Sequence, residues 1–296
     1  MPLPSKFPES NGHAQGRRAW LRRGSLALAI VFFLAASPVP AQQGGTIEGG
    51  VRLTGEPPRN RLIPMGADPN CLAINAGQRV AQETVLRAPD GGLANVFINL
   101  LGSFPELPPP ATPVVIDQRG CTYHPRIAGV QVGQMLHVLN SDTTLHNIHS
   151  LTKRNNRFDT GQPTAGMIFE YRVKSEEVML PLHCGVHPWM TGFLGIVRHP
   201  YFAVTSSTGG FKISSVPAGK HTIQAWHERY GPLTQVVEVT ADATVTVDFT
   251  YTGDEKPPLP GSGPVQGLVV SPAGMTLRPV SASPHRRQRR PPRPLP

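Results

Sequence analysis

The stretch VMLPLHCGVHPWMTGFLGIV, residues 178–197, sets a cysteine, two histidines, a tryptophan and a methionine between two apolar, β-prone runs. Cys184 is followed by His187 at +3 and Met190 at +6, and His183 stands immediately before it. A thiolate and a thioether select soft ions over magnesium or calcium, and an imidazole completes a mixed sulfur and nitrogen set suited to copper or zinc. Two histidines, a cysteine and a weak axial methionine make the pattern of copper electron-transfer sites. The hinge therefore needs one more histidine, from another strand.

VLNSDTTLHNIHS (138–150) supplies it. Asn140-Ser141-Asp142 ends one expected strand and His146-Asn147 opens the next, so His146 meets the 184–190 hinge if the two strands are neighbours. Side chains alternate along a strand. His183 is thus expected on the face opposite Cys184, and His149, three residues past His146, on the face opposite His146. His124 and His137 read as packing or surface residues, and Trp189 as a residue that packs over the site or, as the alternative, joins an apolar docking patch around an exposed His187 edge.

Around this centre the chain reads as strands. Alternating or β-branched runs recur at 46–53, 95–100, 113–117, 128–132, 135–140, 167–173, 193–199, 211–216, 221–227, 233–240 and 243–251, with Gly, Pro, Asn or Asp in nearly every gap. With 33 prolines, 30 glycines and 39% hydrophobic residues, the composition favours turns and strand ends over long helices. The expected class is all-β, built as sandwiches. CLAINAGQRVAQETVL (71–86) alone suggests a helix, and a short one.

The formal charge of +9 lies at the ends of the chain. Residues 1–41 carry five Lys/Arg against one Glu, 253–296 carry seven against two acids, and the middle balances. No basic nucleic-acid surface is implied for the folded part. RRAWLRR, GSLALAIVFFLAA and SPVPAQ give a basic region, a short apolar run and a small-residue cleavage site near Ala41, the form of an export signal. Arg17-Arg18 also fits the twin-arginine route. The apolar run falls short of the roughly 20 residues that span a bilayer, so a cleaved signal and a product outside the cytoplasm, with no stable membrane insertion, are expected. The Pro- and Arg-rich segment 253–296 reads as a disordered tail.

Three cysteines remain in the exported part, 71, 121 and 184. If Cys184 holds a metal, Cys71 and Cys121 are left to form a disulfide, the alternative being two buried thiols.

From about Pro113 to His199 the chain resembles a cupredoxin, the plastocyanin-like blue copper domain. GCTYHPRIAGVQVGQMLHVLNSD, LHNIHS and LHCGVHPWM carry the likeness in order. The resemblance implies a Greek-key β-sandwich holding one copper ion, with His146, Cys184 and His187 as equatorial ligands and Met190 as the weak axial one. It further implies that Asn147 ties the two ligand loops together. Plastocyanin-type loops place the methionine five residues after the histidine, and here it comes three after. That spacing resembles the binuclear loop of cytochrome oxidase subunit II, but the second bridging cysteine is missing, so a mononuclear site follows.

FAVTSSTGGFKISSVPAGKHTIQAWHE and LTQVVEVTADATVTVDFTY resemble the second half of the carboxypeptidase regulatory-like, transthyretin-like sandwich. GGTIEGGVRLTGEPP (44–58) and LANVFINL (93–100) resemble its first half. Both likenesses are met by a split domain, 44–110 plus 200–252, with the cupredoxin domain of 111–199 inserted in it; three consecutive units are the alternative. Trp226-His227-Glu228 reads as a packed tryptophan beside surface residues.

The expected function is an exported single-copper electron carrier, not an enzyme, exchanging electrons with a periplasmic redox protein such as a c-type cytochrome or a dehydrogenase. The alternative is a β-sandwich that stores copper, or binds carbohydrate or another surface, without a redox role. A zinc site would prefer Cys, His or carboxylate to Met as its fourth ligand, and a Cys–His nucleophile has spacing alone in its favour.

Overall fold

The computed structural model describes residues 44–255. The expected export signal and nearly all of the basic tail lie outside the described residues. No helix among the described residues is long and apolar enough to cross a membrane.

Within 44–255 the chain is nearly all β, in four sheets. Strand β1 (Gly45–Leu53) is followed by a long excursion with one short helix, α1 (Pro69–Ile74), and then by β2 (Phe97–Leu101). Nine strands come next: β3 (Val114–Arg119), β4 (Thr122–His124), β5 (Ile127–Gln131), β6 (Met135–Asn140), β7 (His146–Ser150), β8 (Asp159–Gln162), β9 (Ile168–Arg172), β10 (Glu177–His183) and β11 (Thr191–Val197). They form two sheets, ordered β4-β3-β6-β9 and β5-β11-β10-β7-β8. Their alternating inward residues, among them Ile116, Leu136, Val138, Ile148, Leu180, Leu182 and Leu194, bury into one core. Each such side chain contributes about 1.5–3 kcal/mol.

The last six strands are β12 (Phe202–Val204), β13 (Gly210–Val216), β14 (Gly219–His227), β15 (Gly231–Val239), β16 (Thr244–Thr246) and β17 (Phe249–Tyr251). They pair with β1 and β2 into the other two sheets, β13-β1-β16 with β17 also on β1, and β12-β2-β14-β15. A second core, including Ile47, Val51, Ile98, Ile223, Phe249 and Tyr251, lies among these strands. The run 243–251, expected as one strand, breaks into β16 and β17, which take successive stretches of β1 in parallel.

Phe97, Ile127, Met179 and Val197 make a third cluster, with Phe193, Phe202 and Trp226 packed against it. This seam joins β2, β12 and β14 to β5, β10 and β11. Gly129 and Gly195 permit the close approach: a Cβ on either would run into the ring of Phe202 or Phe97. Arg126 and Glu228 close one end of the seam with a two-pronged pair at 2.5 and 2.8 Å.

The helix expected over 71–86 is shorter and starts earlier. Asp68 caps α1 by accepting hydrogen bonds from the Asn70 and Cys71 amides, and Pro69 occupies the first turn, where a missing N–H costs nothing. Asn75 caps the end of α1, and Gly77, two residues on with φ +78°, turns the chain away so that the helix reaches no further. The excursion leaves the β1/β2 sandwich here and packs on the other: Ile63, Met65 and Cys71 belong to the core of β3 to β11.

Candidate metal centre

Strands β7 and β10 run antiparallel side by side, with Leu182 opposite Ser150 and His183 opposite His149. The start of β7 therefore meets the end of β10. Residues 184–190 turn between β10 and β11, closed by hydrogen bonds from the Cys184 amide to the Met190 carbonyl (3.2 Å) and from the Met190 amide to the His187 carbonyl (2.9 Å). His146, at the first position of β7, and Cys184 and His187, in the turn, come together with all three side chains buried.

The two imidazoles are not equivalent at their two nitrogens. Their Nδ1 atoms face each other at 3.1 Å, and His187 Nδ1 lies 3.8 Å from Cys184 Sγ. The Nε2 atoms point away, His146 to Asp142 Oδ2 at 2.8 Å and His187 to Asp68 Oδ2 at 2.9 Å. A carboxylate accepts hydrogen bonds, so each holds its ring in the Nε2–H form and leaves the Nδ1 lone pair free for the pocket. The two Nδ1 atoms and the sulfur make a soft, mixed donor set, which fits a copper ion.

Electrostatics favour the thiolate. Burial pushes the Cys184 thiol up, but the neighbouring His146 and hydrogen bonds from the His187, Asn147 and Val186 amides outweigh it and bring it down to about 7. Burial likewise works against a charged His146, yet Asp142 and Cys184 hold its pKa above the ordinary value. Asp68 is held below the usual carboxylate range, chiefly by its hydrogen bond with His187.

Asn147 donates its amide N–H to Cys184 Sγ (3.4 Å), and its side-chain oxygen accepts from the Gly185 amide (3.0 Å). It thus bridges the start of β7 to the turn. Tyr123 holds it in place by donating to the Asn147 carbonyl at 2.8 Å. Met190 is buried in the same cluster as Cys184 and Trp189. Trp189 stacks obliquely on His187, with centroids 5.1 Å apart, and donates its indole N–H to the Cys121 carbonyl.

Cys71 and Cys121 form a disulfide, with Cα atoms 5.8 Å apart. It lies against the histidine pair, Cys71 Sγ being 3.4 Å from His187 Nε2. His183 and His149 sit opposite one another on the outer face of the sheet, away from the cluster. His124 contacts Thr122, and His137 contacts Glu170. Sequence reading missed Asp68 and Asp142 as partners of the histidines. Asp142 ends the Asn-x-Asp run already noted, and Asp68-Pro69 is a helix-start signal; neither signal reveals a histidine far along the chain.

No family model matches the chain, and no curated protein matches it. Similar solved structures include a purple cupredoxin from Nitrosopumilus maritimus, 23% identical over 28% of this chain and 98% of that one, with a TM-score of 0.25. A copper-containing nitrite reductase from Thermus scotoductus is 15% identical over 47% of this chain and 27% of the reductase, with a TM-score of 0.27. A methionine-to-alanine mutant of amicyanin, in its Cu(I) form, is 18% identical over 33% of this chain and 97% of that one, with a TM-score of 0.26.

Proposed function

We propose that this chain is an exported mononuclear copper protein that carries single electrons, with His146, Cys184 and His187 as strong ligands and Met190 as a weak axial one. The observation that carries the reading is the convergence of two Nδ1 atoms and one low-pKa thiol in a buried pocket, each imidazole held by a carboxylate on its other side. Copper bound there supplies a one-electron couple. The chain's part is to hold the donors in one arrangement and keep water away, which limits rearrangement between oxidation states. Gly185 and Val186 are exposed beside Cys184 and offer the shortest covalent way from its sulfur to the surface. The partner is a periplasmic redox protein of the c-type cytochrome or dehydrogenase kind. The sandwich of β1, β2 and β12 to β17 is read as a carboxypeptidase regulatory-like module that braces the copper domain through the seam.

Visible absorption and electron paramagnetic resonance of the Cu(II)-loaded protein test this. An intense thiolate-to-copper band with a single-copper spectrum, lost in Cys184→Ser, is the expected result. A colourless protein that holds zinc equally well would overturn it. Because His187 is only 1% exposed, copper storage is the second reading, and reversible redox cycling of the bound ion separates the two.

A further inference from the structure

The disulfide is built into the surroundings of both histidines. Asp68 accepts from the Cys71 amide through Oδ1 (3.3 Å) and faces His187 through Oδ2 (2.9 Å). Asp142 Oδ2 accepts from the Cys121 amide (2.8 Å) and faces His146 (2.8 Å). Each half of the bridge thus shares a carboxylate with one histidine. The ring of His187 separates two sets of sulfur, with Nδ1 toward Cys184 at 3.8 Å and Nε2 toward Cys71 at 3.4 Å. Asp68, Cys71 and His187 bring their donor atoms within 4.8 Å of one another, and so do Cys121, Asp142 and His146. A disulfide sulfur is a poor ligand, whereas a thiolate is a strong one for soft ions.

A cavity approaches this bridge, whose two cysteines are themselves buried. The cavity, of about 400 Å³, is lined by Asn75, Gly120, Asp142, Trp189 and Met190 among others. Asn75 donates to the Cys71 carbonyl and Trp189 to the Cys121 carbonyl, so a single side chain of the cavity wall stands next to each half of the bridge, and Trp189 and Met190 bring the wall to the ligand turn.

We infer that Cys71 and Cys121, once reduced, form a second soft-metal site that takes up Cu(I) on the Nε2 side of His187 and feeds the buried site of His146, Cys184 and His187. A dithiol reductant attacks one sulfur of the bridge, passes two electrons and leaves as its own disulfide, giving two thiols. Cu(I) then binds as the two thiol protons depart. Metal–thiolate bonds of about 2.3 Å set the two sulfurs at most roughly 4.6 Å apart, which side-chain rotation reaches from Cα atoms 5.8 Å apart. Transfer crosses the thickness of one imidazole ring. This extends the copper reading and can fail separately from it.

The test is a Cu(I) titration of the metal-free protein against bathocuproine disulfonate under argon, before and after dithiothreitol treatment and desalting. The oxidised protein is expected to take one Cu(I) and the reduced protein two. Reduced Cys71→Ser/Cys121→Ser returns to one, and reduced Cys184→Ser keeps one. The Cys184→Ser arm, with Cys71 and Cys121 unchanged, holds the test open should the double variant not fold. No gain on reduction, or a gain that persists in a folded double variant, overturns the second site. A reduced protein that binds one ion, lost in the double variant, while the oxidised protein binds none, supports the second site and sinks the copper-carrier reading instead.

Discussion

Each sandwich buries histidine, and the two do so in opposite ways. In the β3 to β11 sandwich, His146 and His187 have Nε2 held by carboxylates and Nδ1 turned toward each other and, for His187, toward Cys184. In the other, His227 is fully buried at the end of β14, stacked on Tyr230 at 4.8 Å. Its Nδ1 accepts from the Arg229 amide at 3.2 Å, and its Nε2 has no hydrogen-bond partner among the described residues. Burial pushes the pKa of His227 down to about 4, with Arg126 and Arg229 adding to the effect. A buried histidine becomes a candidate ligand when an acceptor fixes one nitrogen and aims the other at further donors. Without those, it is an aromatic filler that must stay neutral.

The largest expected effect lies where the two regions meet. Arg126 and Glu228 side chains are each 9% exposed, and Arg126 also donates to the carbonyl of Thr191, the residue after the ligand turn. Arg126→Ala leaves Glu228 buried without a counter-charge, which costs about 3–5 kcal/mol. Urea unfolding should show that loss. A shift of a few tenths would mean that the two sandwiches do not stabilise each other through this pair. The variant should also raise the pKa of His227, since one of the charges opposing its protonation is gone.

The sequence carried the strands and the meeting of His146, Cys184 and His187 more fully than the side chains around them. Alternation along β7 and β10 was enough to place His149 and His183 on the outer face, because strand periodicity is local. The short turn between β10 and β11 keeps His187 beside Cys184, and Met190 falls in the same buried cluster. The role of Asp68 was not legible: it reaches His187 through an excursion of the chain that leaves one sandwich and packs on the other. Trp226-His227-Glu228 was read as a packed ring beside surface residues, and the structure corrects it. His227 faces the inner core and the Glu228 carboxylate meets Arg126, so neither neighbour points freely into solvent. A seam between two sandwiches cannot be seen in the alternation of one strand.

The contrast between the two kinds of histidine gives a pH test. The folded pKa of His227 is depressed, so its contribution is fully present above the unfolded value near 6.5. Below that pH the unfolded chain takes up a proton that the folded chain refuses, and stability falls until about pH 4. The loss approaches roughly 3 kcal/mol across that window. His227→Phe keeps an aromatic ring and cannot titrate, so its unfolding free energy should fall less than that of wild type between pH 7 and 4.5. Parallel pH profiles for the two proteins would show that His227 is not the neutral filler described here.

The smallest expected effect concerns the partner of His187. Asp68→Asn keeps Oδ1 as the cap of α1, so the helix should persist. With the amide nitrogen turned to His187 Nε2, a donor stands where Oδ2 accepted at 2.9 Å. The ring is then better served by the Nδ1–H form, whose proton occupies the position the metal needs. Loss of such an orienting partner typically costs 10–100-fold in metal affinity, and a fall of about that size is expected in a Cu(I) competition titration. Nitrogen-15 shifts of His187 in the metal-free variant should report the change of tautomer, which a purely structural role for Asp68 would not produce. His227→Phe, tested beside it, should leave metal affinity unchanged, because nothing aims its ring at a donor set.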